Sequence, residues 1–166
     1  MSTDWAYVTD DIYISSAEVV DNDNFLREHG IGLIVNASNR PQYVNKISIP
    51  TIFAMNFSDT VPGVLTIKKD TIELINKLDD ISNVIAVFRR ERPRTKILIH
   101  CHAGINRSAT IIAYYLIKHR NYESADIVNK IRLANTDQRK NTPALINPLF
   151  EKIILSMRKK ENKIKQ

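Results

Sequence analysis

Apolar positions fall into short dense runs, which fit strands, and into longer runs with an apolar residue every three or four positions, which fit helices. Near the start, Tyr7-Val8 and Ile12-Tyr13-Ile14 flank Thr9-Asp10-Asp11, a pattern that predicts a small hairpin with an acidic turn within residues 5–20, its edge strand opening the domain. Asp21-Asn22-Asp23-Asn24 offers capping side chains for a short helix over Phe25-Leu26-Arg27-Glu28-His29, and Gly30 stands where a C-terminal cap would. Residues 31–37 are nearly all apolar, as in a parallel strand covered on both faces. Another strand falls within residues 47–57 and ends at Ser58-Asp59-Thr60. After the turn at Pro62-Gly63, Thr66 can cap a helix to Leu78; Asp79-Asp80 then either opens a second helix with Ile81, Val84, Ile85 and Phe88 or lies within one bent helix.

The apolar run Ile97-Leu98-Ile99 breaks into His100-Cys101-His102-Ala103-Gly104-Ile105-Asn106-Arg107-Ser108 and re-enters an apolar helix over residues 109–120. That order is strand, loop, helix. A further helix follows Asn121-Tyr122-Glu123-Ser124, with Ile127, Ile131 and Ala134 on its inward face. Residues 135–142 look like a polar loop, and residues 143–157 like an amphipathic helix that lays Leu145, Leu149, Ile153 and Ile154 over the sheet. Strands alternating with helices predict a single α/β domain whose mainly parallel sheet is flanked by helices, with a phosphate-binding loop between strand and helix at the carboxyl edge.

At 166 residues, 43% apolar and 25% charged, the chain fits one domain, placed at residues 1–157, followed by a basic tail at 158–166. The tail holds five basic residues and one acid, so of the formal charge of +6 only about +2 remains for the body. A single cysteine excludes an internal disulfide, and the N-terminus lacks the pattern of a signal peptide, so a reducing compartment, cytoplasm or nucleus, is expected. No apolar run reaches the length of a bilayer span, and no membrane association is expected. The patch Arg89-Arg90-Glu91-Arg92-Pro93-Arg94 precedes the strand whose far end carries Cys101. Five strand residues cover about 17 Å, which puts the patch at the opposite edge of the sheet.

The chemistry concentrates in the loop. A loop between strand and helix can turn its backbone N–H groups inward, and the helix dipole adds positive potential, which makes an anion cradle. Cys101 at its floor is a nucleophile whose reactive form is the thiolate, favoured by such surroundings. Arg107 can grip two phosphoryl oxygens at once, and Ser108 can donate a hydrogen bond to the sulfur. A nucleotide-type phosphate loop is excluded, because no Gly-x4-Gly-Lys-Ser/Thr occurs. His100 and His102 flank one cysteine with no second cluster at ligand spacing, so no metal or cofactor is expected.

His-Cys-x5-Arg-Ser, with Gly104 where the loop must turn, resembles the signature of cysteine-dependent phosphatases, and the short chain resembles their dual-specificity branch, viral members included. The resemblance spans residues 6–156 and implies the first strands at Ile12–Ala17 and Leu33–Ala37. It also implies that residues His102, Ala103, Gly104, Ile105, Asn106 and Arg107 bind phosphate, that His100 tunes the thiol, and that an aspartate beyond the strand within residues 47–57 protonates the leaving oxygen. Asp59 is the candidate and Asp70 the rival, because the segment between Asp59 and Cys101 is longer than the family pattern. Asn147-Pro148-Leu149-Phe150 matches a family element that braces the loop. The implied substrates are phosphotyrosine and phosphoserine/threonine in proteins, cleaved through a phosphocysteine. RNA 5′ phosphates are the alternative substrate, although Ala103 stands where that relative has a histidine; a phosphoprotein-binding domain without catalysis is a third reading. Phosphoinositides fit less well, since the loop has no lysine.

Overall fold

The structure, a computed structural model, describes residues 4–38, 48–54, 59, 67–140 and 143–157, with backbone alone for 67–70. Five strands form one sheet: β1 (Trp5–Thr9), β2 (Ile12–Ser15), β3 (Ile31–Asn36), β4 (Thr51–Phe53) and β5 (Lys96–His100), in the order β1-β2-β5-β3-β4. Only the β1–β2 hairpin is antiparallel; β2, β5, β3 and β4 run parallel. β1 is the edge strand of the predicted hairpin, whereas β2 lies inside the sheet against β5. Ser15, His100, Asn36 and Phe53 stand at one level in the register. All four parallel strands therefore end at the same edge, and the loop after β5 leaves from its middle.

Alternation along β5 divides the core. Ile97 and Ile99 face a large cluster built with the helices α2 (Ile67–Glu91), α3 (Arg107–Arg120), α4 (Ser124–Leu133) and α5 (Pro148–Ser156). Leu98 faces a smaller cluster of Tyr13, Val19, Val20, Phe25, Leu26, Ile31 and Ile34, covered by a 3-10 turn at Ala17–Asp21 and α1 (Asp23–Glu28). Asn22 caps α1 by accepting the Phe25 N–H at 3.1 Å, and Gly30 follows at φ +65°. α3 is the central helix, buried from Ser108 through Ile117. Burial on nearly all sides explains its apolar sequence, and Asn121 at φ +57° ends it in the left-handed region that asparagine tolerates.

One open choice closes and two predicted boundaries change. The region around Asp79-Asp80 does not divide two helices: α2 is one 25-residue helix, and Asp79 sits inside it, accepting from Tyr114 and Lys118 of α3. The predicted polar loop at 135–142 is in its first part helical, because α4 continues into a π-helical turn at Ala134–Gln138. The last helix starts at Pro148 rather than at 143, capped by Asn147, and Leu145 is buried in the segment before it. The basic tail lies outside the described residues.

The arginine patch is at the far edge of the sheet, as its spacing predicts. Arg89 pairs with Asp11 in the hairpin turn and donates to the Thr95 carbonyl, and Arg120 meets both oxygens of Asp11 at 2.8 and 2.9 Å. Asp11 thereby ties the hairpin to the ends of α2 and α3. Its burial opposes ionisation, but the Thr9 hydroxyl, Arg120 and Arg89 outweigh that and hold the carboxyl below its usual 3.8. Asp11→Asn is expected to lower unfolding free energy at pH 7 by about 1–3 kcal/mol in urea titration. Because the folded pKa is depressed, this contribution is present above the unfolded value of 3.8 and is lost as pH falls through the folded one, so the two proteins should converge in acid.

Candidate active site

The loop between β5 and α3 is shaped by what pulls its carbonyls outward. The His102 carbonyl accepts the Ala17 N–H at 3.1 Å, and the Ile105 carbonyl accepts the Leu145 N–H at 3.0 Å. Arg139 donates to the carbonyls of Ala103 and Gly104 at 2.7 and 2.6 Å, and Asn135 adds a bond to Gly104 at 3.3 Å. In a trans peptide the N–H points opposite to its carbonyl, so fixing these four carbonyls outside turns the N–H groups of Ala103, Gly104, Ile105 and Asn106 toward the concave side. One of them is already bonded there: Gly104 N donates to Cys101 Sγ at 3.2 Å.

Gly104 is required on two counts. Its φ is +66°, and a Cβ at this position would lie 2.5 Å from the Ser15 carbonyl oxygen and 2.6 Å from Arg139 Nη1. The loop can close on the β2 end and on Arg139 only with no side chain there. Leu145 shows the same demand without the glycine: it holds φ +57° while buried, and in that posture its N–H reaches the Ile105 carbonyl.

Cys101 is 3% exposed at the floor, with Ser108 Oγ 3.3 Å from its sulfur at the start of α3. Arg107 is the first residue of α3, half-buried at the loop exit, while His102 and Ala103 are exposed at the rim. His100 is 2% exposed beneath the loop. Burial lowers its pKa to about 4, with the positive charge of Arg107 acting in the same direction and a backbone contact at Cys101 acting against both. It is neutral at pH 7.

Asp59 stands at the mouth of this loop. Its Oδ2 accepts from Asn106 Nδ2 at 3.0 Å and its Oδ1 from Asn147 Nδ2 at 3.0 Å. Asp70, the rival, lies in the first turn of α2, and its side chain is outside the described residues. Asn147 therefore touches the carboxylate as well as capping α5, and Phe150 is buried in the large cluster behind it. Among the described residues no cluster of His, Cys, Asp or Glu could hold a metal ion.

The residues that sequence reasoning missed are Asn135, Arg139 and Asp4. The Arg139 side chain is fully buried; it accepts no competitor from solvent and pairs with Asp4 just before β1 as well as with Asn135 Oδ1 at 2.9 Å. The signal was a spacing: Ile131, Asn135 and Arg139 follow one another at four-residue intervals, continuing the buried stripe of α4 in polar residues. A π-turn carries that stripe one step further and delivers the guanidinium under the loop.

The model of the family described as dual specificity phosphatase, catalytic domain, matches residues 12–157. The chain belongs to that family. A protein of Invertebrate iridescent virus 6 whose name places it among tyrosine phosphatases is 26% identical over 104 residues, covering 63% of each chain. Human dual specificity protein phosphatase 14 is 29% identical over 116 residues, 70% of this chain and 52% of its own. The chain thus spans less than two thirds of the length of these relatives. The crystal structure of human DUSP28 superposes with a TM-score of 0.67 over 91% of this chain and 90% of that one, at 18% identity, and shares the fold.

Two outcomes test the architecture of the site. Arg139→Leu removes the guanidinium bonds to the Ala103 and Gly104 carbonyls and to Asp4, and it should weaken binding of tungstate, a phosphate stand-in, by about tenfold while lowering the melting temperature. For His100, the folded pKa lies below the unfolded 6.5, so its contribution is full above 6.5 and is lost as pH falls toward about 4. His100→Asn should accordingly flatten the decline of melting temperature between pH 7 and pH 4.

Proposed function

We propose that this chain is a cysteine-dependent protein phosphatase that hydrolyses phosphotyrosine and phosphoserine/threonine monoesters through a phosphocysteine. The observation that carries the reading is the meeting of three groups on one loop: the sulfur of Cys101 with the Gly104 N–H and Ser108 hydroxyl beside it, Arg107 at the exit, and the Asp59 carboxyl at the mouth. Family membership and the homologous dual specificity phosphatases support it.

In the first step the Cys101 thiolate attacks phosphorus opposite the ester oxygen. The S–P bond forms as the P–O bond breaks, and Asp59 gives its proton to the departing oxygen, so that an alcohol or phenol leaves rather than an alkoxide. Arg107 and the inward N–H groups bind the equatorial oxygens, where charge is spread in the transition state. In the second step the Asp59 carboxylate takes a proton from water, and the resulting oxygen nucleophile attacks phosphorus. The S–P bond breaks, inorganic phosphate departs, and Ser108 steadies the leaving thiolate by hydrogen bonding. No cofactor takes part.

The partner is a phosphorylated protein. The uniform loop, with no lysine among His102–Asn106, offers no site for additional phosphates, and Ala103 leaves the RNA 5′ end as the comparison substrate rather than the preferred one. We place the enzyme in a reducing compartment, cytoplasm or nucleus, where Cys101 stays a thiol; no described helix is long and apolar enough to cross a membrane.

Cys101→Ser should abolish turnover of phosphotyrosyl and phosphoseryl peptides; full activity in that variant, or none in the wild type, overturns the mechanism. Asp59→Asn should cost about 10²–10⁴ with a poor leaving group and far less with an activated aryl ester, while Asp70→Asn keeps the wild-type pattern; the reverse result moves the acid to Asp70. Faster turnover of 5′-triphosphorylated RNA than of phosphopeptide would move the substrate to nucleic acid.

A further inference from the structure

The two amides that touch Asp59 are each oriented by backbone donors. Asn106 Oδ1 accepts the N–H groups of Ile146 and Asn147 at 3.0 and 3.1 Å, which leaves its Nδ2 to face Asp59. Asn147 Oδ1 accepts the N–H groups of Leu149 and Phe150 at 3.1 and 3.4 Å, which leaves its Nδ2 to face the other carboxylate oxygen. Flipping either amide would set a carbonyl oxygen against the carboxylate and an NH2 against N–H donors, so the assignment follows from the network. The two amides sit on separately fixed elements: Asn106 ends the phosphate loop, and Asn147 opens α5 with a 4% exposed side chain. Asp59 itself is exposed.

We propose that Asn106 and Asn147 are positioning residues that hold Asp59 at the rim of the phosphate loop, in place before the phosphoester arrives; this rests on Asp59 being the general acid. An exposed carboxyl with one donor on each oxygen is restricted in both place and rotation, which is the condition for efficient proton transfer. Each oxygen keeps a second lone-pair position, where the transferable proton can sit. When that proton passes to the departing oxygen, negative charge appears on the carboxylate and both amide bonds strengthen, since bonds to a charged acceptor are the stronger ones. The cradle thus contributes most where charge develops, which is what accelerates a step rather than merely tightening substrate binding.

Asn147→Ser and Asn147→Asp both retain an oxygen that can cap α5, and both lack the amide donor, so either can report if the other fails to fold. With phenyl phosphate, kcat is expected to fall about tenfold in both, and at least fivefold more than with an aryl ester whose phenol is strongly acidic. In the Asn147→Ser background, Asp59→Asn should cost much less than it does in the wild type. Equal losses for the two esters, or the full Asp59→Asn penalty in the Asn147→Ser protein, overturn the positioning role. If Asp59→Asn itself shows no dependence on leaving group in the wild type, the acid assignment fails instead, and the two failures are told apart.

Discussion

The site depends on one constraint: four successive peptides between β5 and α3 must turn their carbonyls away from Cys101. Left to itself such a loop would gain nothing from facing its N–H groups together, since their partial positive charges repel. The cost is offset by acceptors satisfied on the outside, from the Ala17 and Leu145 N–H groups, Asn135 and above all Arg139. Three parts of the chain, the end of β2, the π-turn after α4 and the segment before α5, therefore converge on this loop from outside. Gly104 is the point where that convergence leaves no room for a Cβ.

A buried arginine is expensive unless every donor is used, and Arg139 illustrates how the expense is met. Its guanidinium spans two loop carbonyls, one amide and the Asp4 carboxylate. The edge strand is joined to the same device, because Gln138 exchanges bonds of 3.1 Å with both the N–H and the carbonyl of Tyr7. The N-terminal strand is thus linked to the loop around Cys101 through the π-turn. At the other end of the sheet Asp11 plays a comparable part for Arg89 and Arg120, which gives the first arginine of the 89–94 stretch a structural use far from Cys101. The C-terminal end of α3 is anchored by Arg120 to Asp11 at the hairpin turn, while Arg139 braces the loop that precedes its other end.

Apolar pattern determined a good deal. The runs at residues 31–37 and 97–99 fit strands of a covered sheet, and strand-loop-helix around Cys101 placed it with Gly104, Arg107 and Ser108 at one turn. These are local matters, set by residues within a dozen positions of one another, and so they are legible in order along the chain. Helix boundaries were less legible where capping signals competed with packing. Asp79-Asp80 has the composition of a helix start, but Tyr114 and Lys118 of α3 supply partners that let Asp79 remain inside α2.

What tertiary structure alone decided is which distant polar groups meet. Asn135 and Arg139 read as surface loop because polarity ordinarily means solvent, and only a neighbouring ring of carbonyls makes burial of both favourable. The amides that meet Asp59 stand 47 and 88 residues away from it along the chain. The sequence by itself determined the place of Cys101, the loop around it and the sheet that carries them, since each rests on short-range periodicity and turn chemistry. Only the folded chain decided how that loop is braced and what stands over it, because hydrogen bonds between elements far apart in sequence leave no period to read.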